Sequence, residues 1–271
     1  QVQKALEAAE DALAIDPDCE QARSLRASVF FGEGDMSEML TEFSSIPVGA
    51  EAAITLVNKG NFLVMLGRYR EALDTFTEAL EKDKNHEKAI IGVATALNHL
   101  NQPTKALKTI RTIDPERRLE LDGALIEEGD ALRELGQFSR ALDRFDKAVK
   151  LNQTRIAEAH YGRFYVLYQR KEYKNALSPI QDALSVRPGE PRYMTSASIL
   201  LVQHLGRPAE GWKKLIRVVY LAERGEQYWI RRKAQADLSR VLILLHRFFK
   251  APLLITKIVR SHGMANTILG A

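Results

Sequence analysis

The chain has 271 residues, enough for one large domain or two ordinary ones. An apolar content of 45% and a charged content of 27% suit a globular protein and are too polar for a membrane protein. The formal net charge of +4 conceals two unequal halves: residues 1–155 carry 20 basic and 27 acidic side chains, residues 156–271 carry 19 and 8, and the resulting −7 and +11 fit either an ordinary drift of charge along helix exteriors or two surfaces made for different partners.

Taken in chain order, residues 1–19 read as one helix, "QVQKALEAAEDALAI", closed by the Asp-Pro pair of "AIDPD". The chain thus begins inside a helical segment without a secretory signal, and the natural N-terminus is expected upstream. Cys19 is the single cysteine; it has no internal partner and points to a reducing compartment, hence a cytoplasmic protein. From there a junction recurs. Its copies are "GDMSEMLTEF" at 34–43, "GRYREALDTF" at 67–76, "NQPTKALKTI" at 101–110 and "GQFSRALDRF" at 136–145. Three more follow: "KEYKNALSPI" at 171–180, "GRPAEGWKKL" at 206–215 and "HRFFKAPLLI" at 246–255. Successive starts are 33, 34, 35, 35, 35 and 40 residues apart, which is the period of a helix–turn–helix solenoid. No apolar run approaches the roughly 20 residues of a membrane helix.

The retained residues are packing residues. Gly67 and Gly136 stand where a helix ends, because glycine reaches the left-handed conformation at little cost. Ala72, Ala106, Ala141, Ala176 and Ala251, with Ala79, Ala148 and Ala183 seven residues after their counterparts, fall on one helical face and let two helices approach. Phe76 and Phe145, between alanine pairs, are expected to fill the space between repeats. "TIDPE" at 112–116 and "VRPGE" at 186–190 are expected to close second helices.

Two copies are clean. Residues 53–86 hold Leu56, Gly60, Gly67, Tyr69, Ala72, Phe76 and Ala79; residues 122–155 hold Leu125, Gly129, Gly136, Phe138, Ala141, Phe145 and Ala148. With the degenerate copies in register, the frame resembles the tetratricopeptide repeat family over nearly the whole chain. The resemblance implies an all-α fold, a right-handed superhelical α-solenoid of antiparallel helix pairs with about seven repeats and a partial N-terminal one. Residues 1–271 would then form a single solenoid. Residues 1–19 are its partial repeat, and repeats follow at 20–52, 53–86, 87–121, 122–155, 157–190 and 192–225. An insertion, "EQYWIR", occupies 226–231, and 232–271 is a degenerate last repeat and cap. The pattern is broken by Asn101 and Pro103, and by Gly211 where alanine belongs.

Nothing in the chain looks like chemistry. The six histidines show no metal-ligand spacing and have no cysteine partner. There is no phosphate-binding glycine loop and no nucleophile elbow. The expectation is no enzyme, no catalytic residue, no metal and no cofactor. Function must sit in the variable positions of the scaffold.

In the family, the first helix of each pair lines the concave face, at positions 2, 5, 6, 9, 12 and 13 of the repeat. The resemblance therefore places Asn58, Asn61, Asn98, Glu127, Asp130, Tyr161, Tyr165 and Tyr168 on one strip, an amide section followed by an acidic section and a tyrosine wall. Amides both donate and accept, which suits the backbone of an extended peptide. Tyrosines offer contact area with few rotors to freeze. Glu127, Asp130 and Glu134 outnumber Arg133, which favours a basic or amide-rich segment. Family members that hold the acidic tails of heat-shock chaperones use a Lys, Asn and Arg clamp. Here only Asn61 matches; the other four places fall on Val57, Gly92, Gly123 and Glu127, so that role is not expected. The leading expectation is a non-enzymatic scaffold binding a protein or extended peptide on the concave face. Two alternatives stay open: a substrate-recruiting region of a larger enzyme, and nucleic-acid contact through a secondary basic patch at Arg231, Arg232 and Lys233. Charge alone carries the last, and no base-reading set of side chains accompanies it.

Overall fold

The computed structural model describes residues 2–33, 35–46, 53–151, 153–224 and 234–235. Among them there is no strand, and fourteen helices follow one another. They are α1 (Val2–Ile15), α2 (Glu20–Glu33), α3 (Met36–Ser44), α4 (Ala53–Met65), α5 (Tyr69–Lys82), α6 (Glu87–His99), α7 (Pro103–Ile110) and α8 (Pro115–Leu119). Then come α9 (Asp122–Glu134), α10 (Phe138–Leu151), α11 (Ile156–Gln169), α12 (Tyr173–Val186), α13 (Pro191–Ile199) and α14 (Pro208–Arg224). The chain divides into two compact units, Gln1–Gly162 and Arg163–Ala271, with the boundary inside α11.

In the first unit, consecutive helices pack as hairpins, α2 on α3, α4 on α5, α6 on α7 and α9 on α10. The first helices also touch one another in series, α2 to α4, α4 to α6 and α6 to α9. One backbone device makes these turns. Arg68 N–H donates to the Leu63 carbonyl and Gly67 N–H to that of Val64, with Gly67 at φ +76°. The bonding repeats at Asn101–Gln102 and at Gly136–Gln137, and in the second unit at Lys171–Glu172. Each is a helix C-terminus closed through a left-handed residue. Asn101 and Lys171 adopt that conformation, at φ 58° and 61°, without being glycine.

The core forms where an aromatic ring meets two glycines. Phe76 is fully buried, and a Cβ at either Gly60 of its own repeat or Gly92 of the next would run into its ring. Phe145 stands in the same relation to Gly129 and Gly162. The alanines Ala72, Ala79, Ala141 and Ala148 line the close contacts beside them, each at most 1% exposed.

Two details depart from the sequence expectation. "TIDPE" does not close a long second helix, because α7 already ends at Ile110. Asp114 instead caps α8, its Oδ1 accepting from the Glu116 and Arg117 N–H groups at 3.0 Å, with Pro115 in the first turn. In the second unit, α13 continues as a π-helical turn, Leu200–His204. Beside it Gly211 replaces the expected alanine for a steric reason. A Cβ there would strike Val202 and come within 3.1 Å of Ser198 Oγ, which itself donates to the Gly211 carbonyl at 2.6 Å. The insertion at 226–231 and nearly all of 232–271 lie outside the described residues.

Candidate partner-binding face

Ile54, Asn58, Asn61 and Met65 recur along α4 at helical spacing, so they share one stripe. Leu56, Val57 and Leu63 of the same helix enter the core. The stripe stays open: Asn61 is exposed, Ile54 is 42% exposed and Met65 51%. Asn58 is half-buried and donates through Nδ2 to Ser24 Oγ of α2 at 3.3 Å. On α6, Lys88 is exposed, while Ile91, Thr95 and Asn98 are half-buried.

At α9 the face closes on itself. Glu127 is only 3% exposed. Asn98 Nδ2 donates to its backbone carbonyl and to its Oε2, both at 3.0 Å, and Arg155 Nη2 donates to its Oε1 at 3.1 Å. Asp130 and Glu134 both face Arg133, at 3.3 and 2.7 Å. Burial pushes the Asp130 carboxyl up to about 6; Arg133 opposes the rise and the Glu127 charge adds to it. For Arg155, burial works against the charged form, but Glu127, Glu158 and Asp130 outweigh it and hold the guanidinium above its ordinary value. Tyr161 is buried, at 8% exposed.

In the second unit Tyr165 and Tyr168 are half-buried in a cluster of rings. Phe164 lies 6.0 Å from Tyr165 and 5.7 Å from Tyr168, centroid to centroid. Tyr168 OH is 3.0 Å from His204 Nε2, and His204 stacks on Tyr173 at 3.7 Å. Burial pushes the His204 imidazole below its ordinary value. A similar stack joins His99 to Tyr69 at 4.3 Å in the first unit.

The structure thus brings Asn98 and Glu127 into direct contact, leaves Asn61 open and ties Asn58 to Ser24. Tyr165 and Tyr168 belong to the second unit, and Arg231, Arg232 and Lys233 lie outside the described residues. Sequence reasoning missed Arg155, which is 28 residues from Glu127 and precedes α11. It also missed the use of His99 and His204, both at repeat position 13, as stacking groups. The available signal was an aromatic at position 17 of the preceding repeat, Tyr69 and Tyr173 respectively. Among the described residues no group of three or more His, Cys, Asp or Glu could hold a metal. No helix among them is long and apolar enough to cross a membrane. A separate cleft of about 380 Å³ lies between α3, α4 and α5, around Lys59, Arg68 and Asp74, and takes no residue from the open stripe.

Known proteins share the repeat fold. Two family models described as tetratricopeptide repeat match residues 63–127 and 126–191. A DnaJ homolog subfamily C member 7 homolog of Schizosaccharomyces pombe is 25% identical over 170 residues, 56% of this chain and 34% of its own length. The chain therefore spans about a third of that relative. A thermophilic TPR protein of Thermus thermophilus, TTC0263, superposes with a TM-score of 0.57 at 22% identity, covering 69% of this chain and 99% of that one. A tetratricopeptide repeat protein of Parabacteroides merdae gives 0.52 at 16% identity, covering 89% and 97%. At these identities the structural likeness speaks for the fold alone.

Proposed function

Because the chain is a tetratricopeptide repeat protein over residues 63–191, and such proteins mediate protein–protein interaction, we propose that it is a non-enzymatic scaffold whose first helices bind a protein or an extended peptide. The observation that carries this reading is the open stripe of α4. Ile54, Asn61 and Met65 face solvent on a helix whose other faces are consumed by packing. Asn61 can donate to and accept from a peptide backbone, and Ile54 and Met65 offer apolar contact on either side.

Further contacts in the first unit come from Asn58, Asn98 and Asp130, and in the second from Tyr165 and Tyr168. Glu127 and Tyr161, both buried, support the face. Since the Glu127 carboxylate is bound internally, recognition of a basic or amide-rich segment falls to Asp130 and Glu134, shared with Arg133. A heat-shock chaperone tail is disfavoured, because its carboxylates would meet these acids rather than a basic clamp.

The test is a photo-cross-linking residue placed at Asn61, compared with one at Ser139, exposed on the second helix α10. The reading expects a protein captured from lysate at position 61 and not at 139. Capture at 139 alone would move the binding surface to the second helices and sink it.

A further inference from the structure

Glu128 departs from its surroundings. It follows the first residue of α9 by six, as Val93 follows the first residue of α6, yet it brings a carboxylate where the earlier repeat has an apolar side chain. At 2% exposed it must be paired. Three guanidinium groups from three elements converge on it. Arg144 Nε of α10 stands 3.0 Å away, Arg118 Nε of α8 3.8 Å, and Arg111 Nε, at the end of α7, 3.9 Å. All three are charge contacts: the two longer ones exceed hydrogen-bond range, and Arg144 Nε and Glu128 Oε2 are not aligned for a hydrogen bond. Most N–H donors of this group are therefore not used on Glu128. Arg118 Nη1 donates weakly to the Ile113 carbonyl at 3.4 Å, and Arg144 Nη1 lies 3.3 Å from Asp143. The Arg111 side chain is 47% exposed. Helix α7 adds Lys105 and Lys108 and carries no acidic residue. A positive centre thus sits within the half of the chain whose net charge is −7.

We propose that Arg111, Arg118 and Arg144 form a receptor for a phosphoryl group, and that buried Glu128 holds them in convergence. A phosphoryl group carries about two negative charges and three acceptor oxygens at neutral pH. The guanidinium fork matches that geometry, and arginine clusters are a recurring means of reading it. A carboxylate ligand brings one charge and two acceptor oxygens, and so engages fewer of the converging donors. The receptor is built from α7, α8 and α10, not from the open first-helix stripe, so it stands or falls separately from the function proposed above.

The experiment titrates the full chain with four probes while following arginine side-chain N–H signals by NMR. The probes are an acetylated, amidated pentapeptide with a central phosphoserine, its serine and glutamate counterparts, and inorganic phosphate. The phosphoserine peptide should shift the Arg111 and Arg144 signals saturably, and the serine peptide should not. Arg111→Ala and Arg144→Lys should each weaken binding about tenfold or more, the scale of a lost charged hydrogen bond. Arg117→Ala should bind like the parent, because Glu87 and Glu120 already hold that guanidinium. Glu128→Gln, if its melting curve shows it folded, should bind more weakly although it adds positive charge, which separates positioning from simple charge. Tighter binding of the phosphopeptide than of phosphate identifies a phosphorylated partner; equal binding identifies a receptor for the free ion. The proposal is overturned if no phosphate probe shifts these signals, if the glutamate peptide binds as well as phosphoserine, or if Arg111→Ala binds like the parent.

Discussion

Gly92 is a residue whose reason lies in another helix. Its missing Cβ makes room for the Phe76 ring, which is fully buried and cannot retreat. Gly92→Ala should lower the unfolding free energy by about 1–3 kcal/mol, the usual cost of overpacking. Gly123→Ala serves as the contrast, because its Cβ would meet its nearest neighbours at 3.4 Å. That substitution, in the first turn of α9, should change stability by less than about 0.5 kcal/mol. If both variants melt alike, the ring is not the constraint. Asp130 gives a pH signature of unusual sign. Its folded carboxyl titrates at about 6, above the ordinary value of 3.8, so its contribution is full below the unfolded value and lost as pH rises through 6. Asp130→Asn should therefore gain melting temperature over the parent progressively between pH 4 and pH 7. A pH-independent difference would contradict this.

At the scale of the element, the turn is specified by backbone bonding more than by residue type. The same two hydrogen bonds close helices before Gly67, Asn101, Gly136 and Lys171. Lys171→Gly should relieve the left-handed strain and stabilise the protein by about 1 kcal/mol, measured by chemical denaturation. Loss of stability would mean that the lysine side chain is needed there. At the link between α11 and the end of α13, burial favours the neutral His204 imidazole. The folded pKa of His204 is lowered, so its stabilisation is full above its ordinary value and is lost as pH falls below it. Melting temperature should drop on the acid side, and His204→Phe, which keeps a ring over Tyr173, should flatten that drop. An unchanged acid limb would contradict the assignment. These elements also mark what could be read in advance. The glycine turns and the Phe and Ala packing were legible because they obey a period. The role of Asp114–Pro115 was misread, because an Asp-Pro pair after one helix is also a cap for the next, and only the early end of α7 decides between them. Exposure within the candidate face was not legible either. Glu127 is consumed by Asn98 and Arg155, 29 and 28 residues away, and no local pattern encodes that reach.

At the scale of the whole molecule, stacked helix pairs bury their faces against neighbours, and the positions left variable are the ones free to specify a partner. The function proposed above assigns recognition to the first helices. It is tested by the calorimetric affinity of the partner cross-linked at Asn61, for the parent, Asn58→Ala and Met65→Ala, with melting curves to verify folding. Burying an exposed apolar side chain usually outweighs one amide contact, so Met65→Ala should cost about 2 kcal/mol of binding, and Asn58→Ala less. If both variants fold and bind like the parent, recognition does not reside on the first helices.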